Sequence, residues 1–135
     1  PDFARSVSRL PAWPAGSLML SAPDLWRFGR ALADGRLVRR ETLEAMMAGG
    51  IELRAAQEGR PASRYGLGFG VNGEGMTRTM GHTGGAPGVD AAIRIELATG
   101  RTVAVLSNRS GTDALNASLL SRTVLAHPVT EDCGR

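Results

Sequence analysis

Ala91-Ala92-Ile93-Arg94-Ile95-Glu96-Leu97-Ala98-Thr99-Gly100-Arg101-Thr102-Val103-Ala104-Val105-Leu106-Ser107 reads as two strands and the turn that joins them. Ile93, Ile95 and Leu97 alternate with Arg94 and Glu96, the period-two pattern of a half-solvated strand with one face on a core. Ala98-Thr99-Gly100-Arg101 makes a short hairpin connection, and the valine-rich run Thr102 to Ser107 returns. Strands joined by so short a link run antiparallel, because a parallel pair needs a crossover of a dozen residues or more.

Upstream, the period is again two from Tyr65 onward. Leu67, Phe69 and Val71 alternate with Gly66, Gly68 and Gly70, which predicts a strand with little bulk on one face. Asn72-Gly73 is a tight-turn signal, and the segment around Thr77 to His82 returns as the antiparallel partner, so that the residues after it lie at a strand end. Before Tyr65 the period is helical. Ser21-Ala22-Pro23-Asp24 supplies an N-cap hydroxyl, a proline in the first turn and an acid three residues after the cap. Leu25, Phe28 and Leu32 form one apolar stripe, and Gly35 is placed for a left-handed cap. A second helix fits Glu41 to Ala48, with Leu43, Met46 and Met47 turned inward as core and Gly49-Gly50 as its stop. Residues Pro1 to Gly16 read as an irregular lead-in.

Downstream, Ser110-Gly111-Thr112-Asp113 offers capping groups ahead of Leu115, Leu119, Leu120 and Val124, and this final helix should stop before Pro128. The tail Val129 to Arg135 has no pattern. The expected architecture is α+β: two helices, an antiparallel meander and a closing helix, in one domain over residues 1–135.

The net charge of +3 rests on arginines scattered from Arg5 to Arg135, without the basic stripe and interleaved aromatics of a nucleic-acid groove, so no nucleic-acid partner is expected. No apolar run approaches the length of a membrane span. Cys133 is alone, which excludes an intrachain disulfide, and neither a metal nor an organic cofactor is suggested. Pro1-Asp2-Phe3-Ala4-Arg5 resembles neither a signal peptide nor a natural start, which suggests a processed or truncated chain.

Chemistry concentrates in Met80-Gly81-His82-Thr83-Gly84-Gly85-Ala86-Pro87-Gly88. His82 stands beside a hydroxyl and two positions without side chains, where a polar ligand can approach the backbone. That is the makeup of a binding wall. All 16 basic residues are arginine, so no lysine is present to activate a nucleophile, and Ser107, Ser110 and Ser118 have no base at recognisable spacing. Asn108 reads as a turn residue. His127, beside Pro128, reads as a helix-end residue interacting with the dipole.

From Ala15 to Ala126, the segments Ala15-Gly16-Ser17-Leu18, Ser21-Ala22-Pro23-Asp24-Leu25, Tyr65-Gly66-Leu67-Gly68-Phe69, Gly81-His82-Thr83-Gly84-Gly85 and Val103-Ala104-Val105-Leu106-Ser107-Asn108 together resemble the serine β-lactamases and penicillin-recognising DD-peptidases. The likeness is to the class C-like branch with its related esterases and D-aminopeptidases. The resemblance implies a β-lactamase/transpeptidase-like fold and a site of three walls: Ser-x-x-Lys on a helix, Tyr-x-Asn on a loop, and Lys-Thr-Gly on a strand. His82-Thr83-Gly84 matches the third, with histidine for lysine. Ser-x-x-Lys cannot occur without lysine, and Tyr65 is followed by Gly66-Leu67, so Tyr-x-Asn is absent too.

By resemblance, then, the chain is the C-terminal portion of a longer serine hydrolase, inactive alone and partnered by the N-terminal part of the same domain. Its substrate is a small-molecule or peptide acyl compound. The Gly85 N–H is expected as half of an oxyanion hole, Thr83 as a contact to a substrate carboxylate or carbonyl, and His82 as a polar group near the nucleophile's proton network. Gly84 and Gly85 leave room for an acyl chain along the strand. Histidine's ordinary pKa, about 6.5, leaves it largely neutral at pH 7, which favours a peptidase-, amidase- or esterase-like parent over a proficient β-lactamase. Two alternatives stand beside this: a non-catalytic module binding a peptide or partner on the strand edge, and a fragment without function of its own.

Overall fold

The computed structural model describes residues 16, 18–58, 61–109 and 117–127. The expected lead-in up to Ala15, the cap at 110–113 with Leu115, and the tail from Val129 lie outside them.

Helix α1 (Ala22–Ala33) begins where its capping residues dictate: the backbone N–H of Asp24 donates to Ser21 Oγ at 3.3 Å, and Pro23 lies in the first turn. It ends with Arg36 N–H on the Ala31 carbonyl (2.9 Å) and Gly35 N–H on the Leu32 carbonyl (3.2 Å), with Gly35 at φ +73°. Both last-turn carbonyls are thereby satisfied. The stripe is rotated from its expected position: Leu32 and Gly29 are buried and Leu25 partly so, while Phe28 remains 43% exposed. Helix α2 (Arg40–Ala48) buries Leu43 and Met47, with Met46 half-buried.

Six strands follow in a pure meander, each antiparallel to the next: β1 (Ile51–Arg54), β2 (Ser63–Tyr65), β3 (Gly70–Asn72), β4 (Thr79–Ala86), β5 (Val89–Glu96) and β6 (Thr102–Ser107). The α+β reading therefore holds. The single strand expected from Tyr65 to Val71 does not. It is the tip of a hairpin, where Gly66 N–H bonds to the Phe69 carbonyl at 2.7 Å and Gly68 takes φ +88°. Leu67 N–H bonds to the Met46 carbonyl at 2.7 Å, and a Cβ on Gly66 would lie 2.4 Å from that same oxygen. The alternating glycines let a turn press against the end of α2, and the resulting period of two imitates a strand. Strand β1 has no counterpart in the sequence reading.

The core lies between one sheet face and helices α1 and α2: Val71, Met80, Ile93 and Ile95 from the sheet against Leu32, Leu43 and Met47. Successive residues of a strand point to opposite faces, so Arg94 faces away from this core. Helix α3 (Ala117–Ala126) covers that second face with Ala117, Ser121 and Leu125. The expectation that β5 is half-solvated is therefore corrected. Ala92, Ile93, Arg94 and Ile95 are all buried, because α3 closes over the face that alternation assigned to water. Helix α3 stops at Ala126, ahead of Pro128 as expected, but Leu119, Leu120 and Val124 are exposed. At its end His127 Nδ1 bonds to the Thr123 carbonyl at 2.7 Å, which satisfies one of the last-turn acceptors.

Candidate functional site

Strand β4 is longer than one of its two neighbours. Its pairing with β3 covers Thr79 to Gly81, with Gly70 opposite Gly81, whereas its pairing with β5 runs from Thr79 to Ala86. From His82 onward, among the described residues, β4 is paired on one side alone. The His82-Thr83-Gly84-Gly85 motif thus lies at the end of a strand, as expected, although the strand runs on to Ala86 rather than finishing near His82. His82, Thr83, Gly84 and Gly85 are all exposed. In an antiparallel ladder alternate residues turn their N–H and C=O groups outward, so this stretch offers backbone donors and acceptors along an open edge.

The His82 ring is held at both nitrogens. Nδ1 lies 2.6 Å from the Thr83 carbonyl, and Nε2 lies 2.8 Å from the Tyr65 hydroxyl, with the two rings edge-to-face at 5.8 Å between centroids and 76° between planes. A carbonyl can only accept, so Nδ1 carries a proton; in the neutral ring Nε2 is then the acceptor and Tyr65 O–H the donor. Tyr65 is missing from the site expected from sequence, because the resemblance gives a tyrosine a role only within Tyr-x-Asn. The signal was in the register: Tyr65 pairs with Gly70, and Gly70 with Gly81, which sets the tyrosine two strands from the residue before His82.

Thr83, Gly84 and Gly85 line a cavity of about 500 Å³ whose other walls are Asp90 of β5 and Ser118, Leu119 and Arg122 of α3. A second cavity of about 280 Å³ holds Tyr65, His82, Thr83, Arg94, Ser118 and Arg122. Thr83 therefore lies on both, with His82 and Gly85 on different sides of it. Asp90 Oδ2 accepts from the Ala117 N–H at 2.6 Å and so ties the N-terminus of α3 to β5. Among the described residues, no three His, Cys, Asp or Glu side chains converge as they would to hold a metal ion. Nor is any helix among them long and apolar enough to cross a membrane.

The serines of α3 have unsuitable neighbours for nucleophilic work. Ser121 Oγ accepts from Arg94 Nε at 3.1 Å, and Ser118 Oγ accepts from Arg94 Nη2 at 3.3 Å and Arg122 Nη2 at 3.4 Å. A guanidinium stays protonated and takes no proton from a hydroxyl. What these residues provide is a donor-rich wall for a carbonyl or an anion.

The family model described as Beta-lactamase matches residues 1–126. The chain belongs to the β-lactamase family. That membership places it in the serine β-lactamase/transpeptidase-like superfamily of serine hydrolases, and the six-stranded antiparallel sheet with flanking helices agrees with that fold. No curated protein matches the chain. Within the β-lactamase family fold, strand β4 with its overrun past β3 is the element on which the polar residues gather.

Proposed function

We propose that residues 1–135 are the C-terminal part of a serine acyl hydrolase domain of the class C-like branch, supplying its strand wall while a Ser-x-x-Lys segment elsewhere in the protein supplies the nucleophile. The absence of lysine from the chain supports the division of labour, since acyl transfer by this chemistry needs an activated hydroxyl. The observation that carries the reading is the edge of β4 left unpaired from His82 onward among the described residues, with His82 held between Tyr65 and the Thr83 carbonyl.

In this reading the acyl substrate lies along β4. The Gly85 N–H donates to the oxyanion as the attacked carbonyl becomes tetrahedral, and the other donor comes from the nucleophile's own segment. Thr83 Oγ1 holds the substrate's polar group, Gly84 leaves the acyl chain room, and His82 joins the proton network of the nucleophile. Histidine in place of lysine favours peptide, amide or ester substrates over β-lactams.

The chain alone should neither be labelled by a fluorescent penicillin nor hydrolyse p-nitrophenyl acetate above background, and burst acylation of it would refute the missing nucleophile. In the full-length protein, His82→Ala should lower turnover by about 100-fold or more with folding retained; wild-type turnover would remove His82 from the site. The open edge also suits a peptide adding as an extra strand without chemistry. Peptide binding by a full-length protein that turns nothing over would favour that second reading.

A further inference from the structure

Asn72-Gly73 ends β3 and stands outside the wall formed by β4. The fold requires glycine at position 73: its φ is +76°, and a Cβ there would lie 2.8 Å from the Thr77 carbonyl oxygen. Asparagine is chemically labile, and most so before glycine, where no side chain shields the following backbone nitrogen from the carboxamide. The turn thus demands the neighbour that leaves Asn72 open to attack.

In the folded protein that nitrogen is engaged. The Gly73 N–H donates to the Ala62 carbonyl at 3.0 Å, and Asn72 is paired between Ser63 of β2 and Thr79 of β4. An amide nitrogen whose proton is shared with a carbonyl is a poor nucleophile, so attack waits until this end of the hairpin opens. Asn72 is only half-buried and lines the cavity of about 280 Å³ that also holds Tyr65 and His82, so water reaches it.

We infer that Asn72 is a deamidation site gated by the Gly73–Ala62 hydrogen bond, and that its isoaspartyl product uncouples Tyr65 from His82. On opening, the Gly73 nitrogen loses its proton to water and bonds to Asn72 Cγ; the Cγ–Nδ2 bond breaks, Nδ2 leaves as ammonia and a succinimide remains. Water reopens that ring at either carbonyl. Breaking the newly formed bond gives aspartate at position 72. Breaking the bond from the nitrogen to the main-chain carbonyl gives isoaspartate, whose main chain runs through the former side chain and is longer by one carbon. Strand β3 has only 3 residues, and its register sets Gly70 between Tyr65 and Gly81, the neighbour of His82. An extra carbon at its end displaces the pairing that brings the Tyr65 hydroxyl to His82 Nε2 at 2.8 Å. Opening of the hairpin is thereby recorded in the covalent structure of the chain.

The test incubates the chain in mildly alkaline buffer, folded and in concentrated urea, and follows position 72 by peptide mass spectrometry that distinguishes aspartate from isoaspartate. Asn72 should convert in urea and at least about tenfold more slowly when folded, because the folded reaction is limited to the open fraction. An intact Asn72 in urea would overturn the site, and equal rates would overturn the gate. In the isoaspartyl chain recovered from the folded incubation, the ¹⁵N signal of His82 Nε2 should move as it does in Tyr65→Phe. Asn72→Asp adds the charge without the extra carbon and should keep the parent signal. A parent-like signal in the isoaspartyl chain, or a shifted one in Asn72→Asp, would overturn the uncoupling.

Discussion

Gly81→Ala and Gly84→Ala place the same methyl group on the same strand, three residues apart, with opposite expected results. A Cβ at Gly81 would lie 2.1 Å from the Ile93 carbonyl oxygen, 3.0 Å from its carbon and 3.1 Å from the Arg94 Cα. All three atoms are backbone of β5, so no rotamer change relieves the overlap. Reaching ordinary contact at 3.4 Å requires β4 and β5 to part by about 1.3 Å where Gly81 faces Arg94. Overpacking of this kind costs about 1–3 kcal/mol, and weakening two flanking ladder bonds adds about 1 kcal/mol each. The expected loss is about 3–5 kcal/mol, a large share of the roughly 5–15 kcal/mol of a typical domain.

A Cβ at Gly84 meets nothing within 4 Å, so Gly84→Ala should stay within about 0.5 kcal/mol of the parent. Urea unfolding followed by circular dichroism separates the two. With a slope of about 1–3 kcal/mol/M, Gly81→Ala should lower the midpoint by at least 1 M at unchanged slope. If Gly81→Ala matched the parent within about 1 kcal/mol, the close approach of β4 and β5 would be wrong. If Gly84→Ala fell as far as Gly81→Ala, the second half of β4 would be packed rather than open, and the proposed acyl-binding edge would go with it.

Tyr65→Phe removes the donor to His82 Nε2 while leaving Nδ1 on the Thr83 carbonyl, so the ¹⁵N shift of Nε2 should move with the tautomer kept; at this exposed contact the stability loss should be no more than about 1 kcal/mol, and an unchanged Nε2 shift would count against the bond. Gly29→Leu should destabilise by about 1–3 kcal/mol in thermal unfolding, because a Cβ there already lies 2.7 Å from Thr102 Cγ2 and 2.8 Å from Ile93 Cδ1; a neutral result would mean that α1 stands further from the sheet. The Ser21 hydroxyl, and after it Arg27, hold the Asp24 carboxyl below its ordinary value of 3.8, so the contribution of this pair is present above that pH and is lost as pH falls through the lowered folded value. Asp24→Asn should accordingly flatten the fall in Tm between pH 5 and pH 2, and an equally steep fall in the variant would show that other carboxylates dominate.

Local signals were legible in the sequence wherever one short segment supplies both donor and acceptor. The Ser21 cap, the Gly35 ending and the β5–β6 hairpin each involve neighbours in the chain, and each formed as read. The failures all depend on distant partners. Alternation at Leu67, Phe69 and Val71 could not reveal that the Met46 carbonyl would take the Leu67 N–H and fold the segment into a turn. Nor could Tyr65 be paired with His82 without the register of two intervening ladders.

Arg94 is the failure with the most chemical consequence. A period of two states that a residue faces away from the core, but not whether water or another element lies there; here the cover comes from Ala117–Ala126, far along the chain. The same omission misjudges the motif strand. Read alone, histidine at position 82 removes the positive charge that a lysine would bring to the proposed acyl-binding wall. With α3 in place, two guanidinium groups lie on the cavity that His82 and Thr83 also line, joined through Ser118 and without a carboxylate partner among the described residues. An arginine keeps its charge across the whole neutral range, whereas an imidazole need not. Helix α3 therefore decides what Arg94 is: a surface arginine by the alternation of β5 alone, and a buried one with Ser121 and Ser118 as its described partners once α3 lies on the sheet.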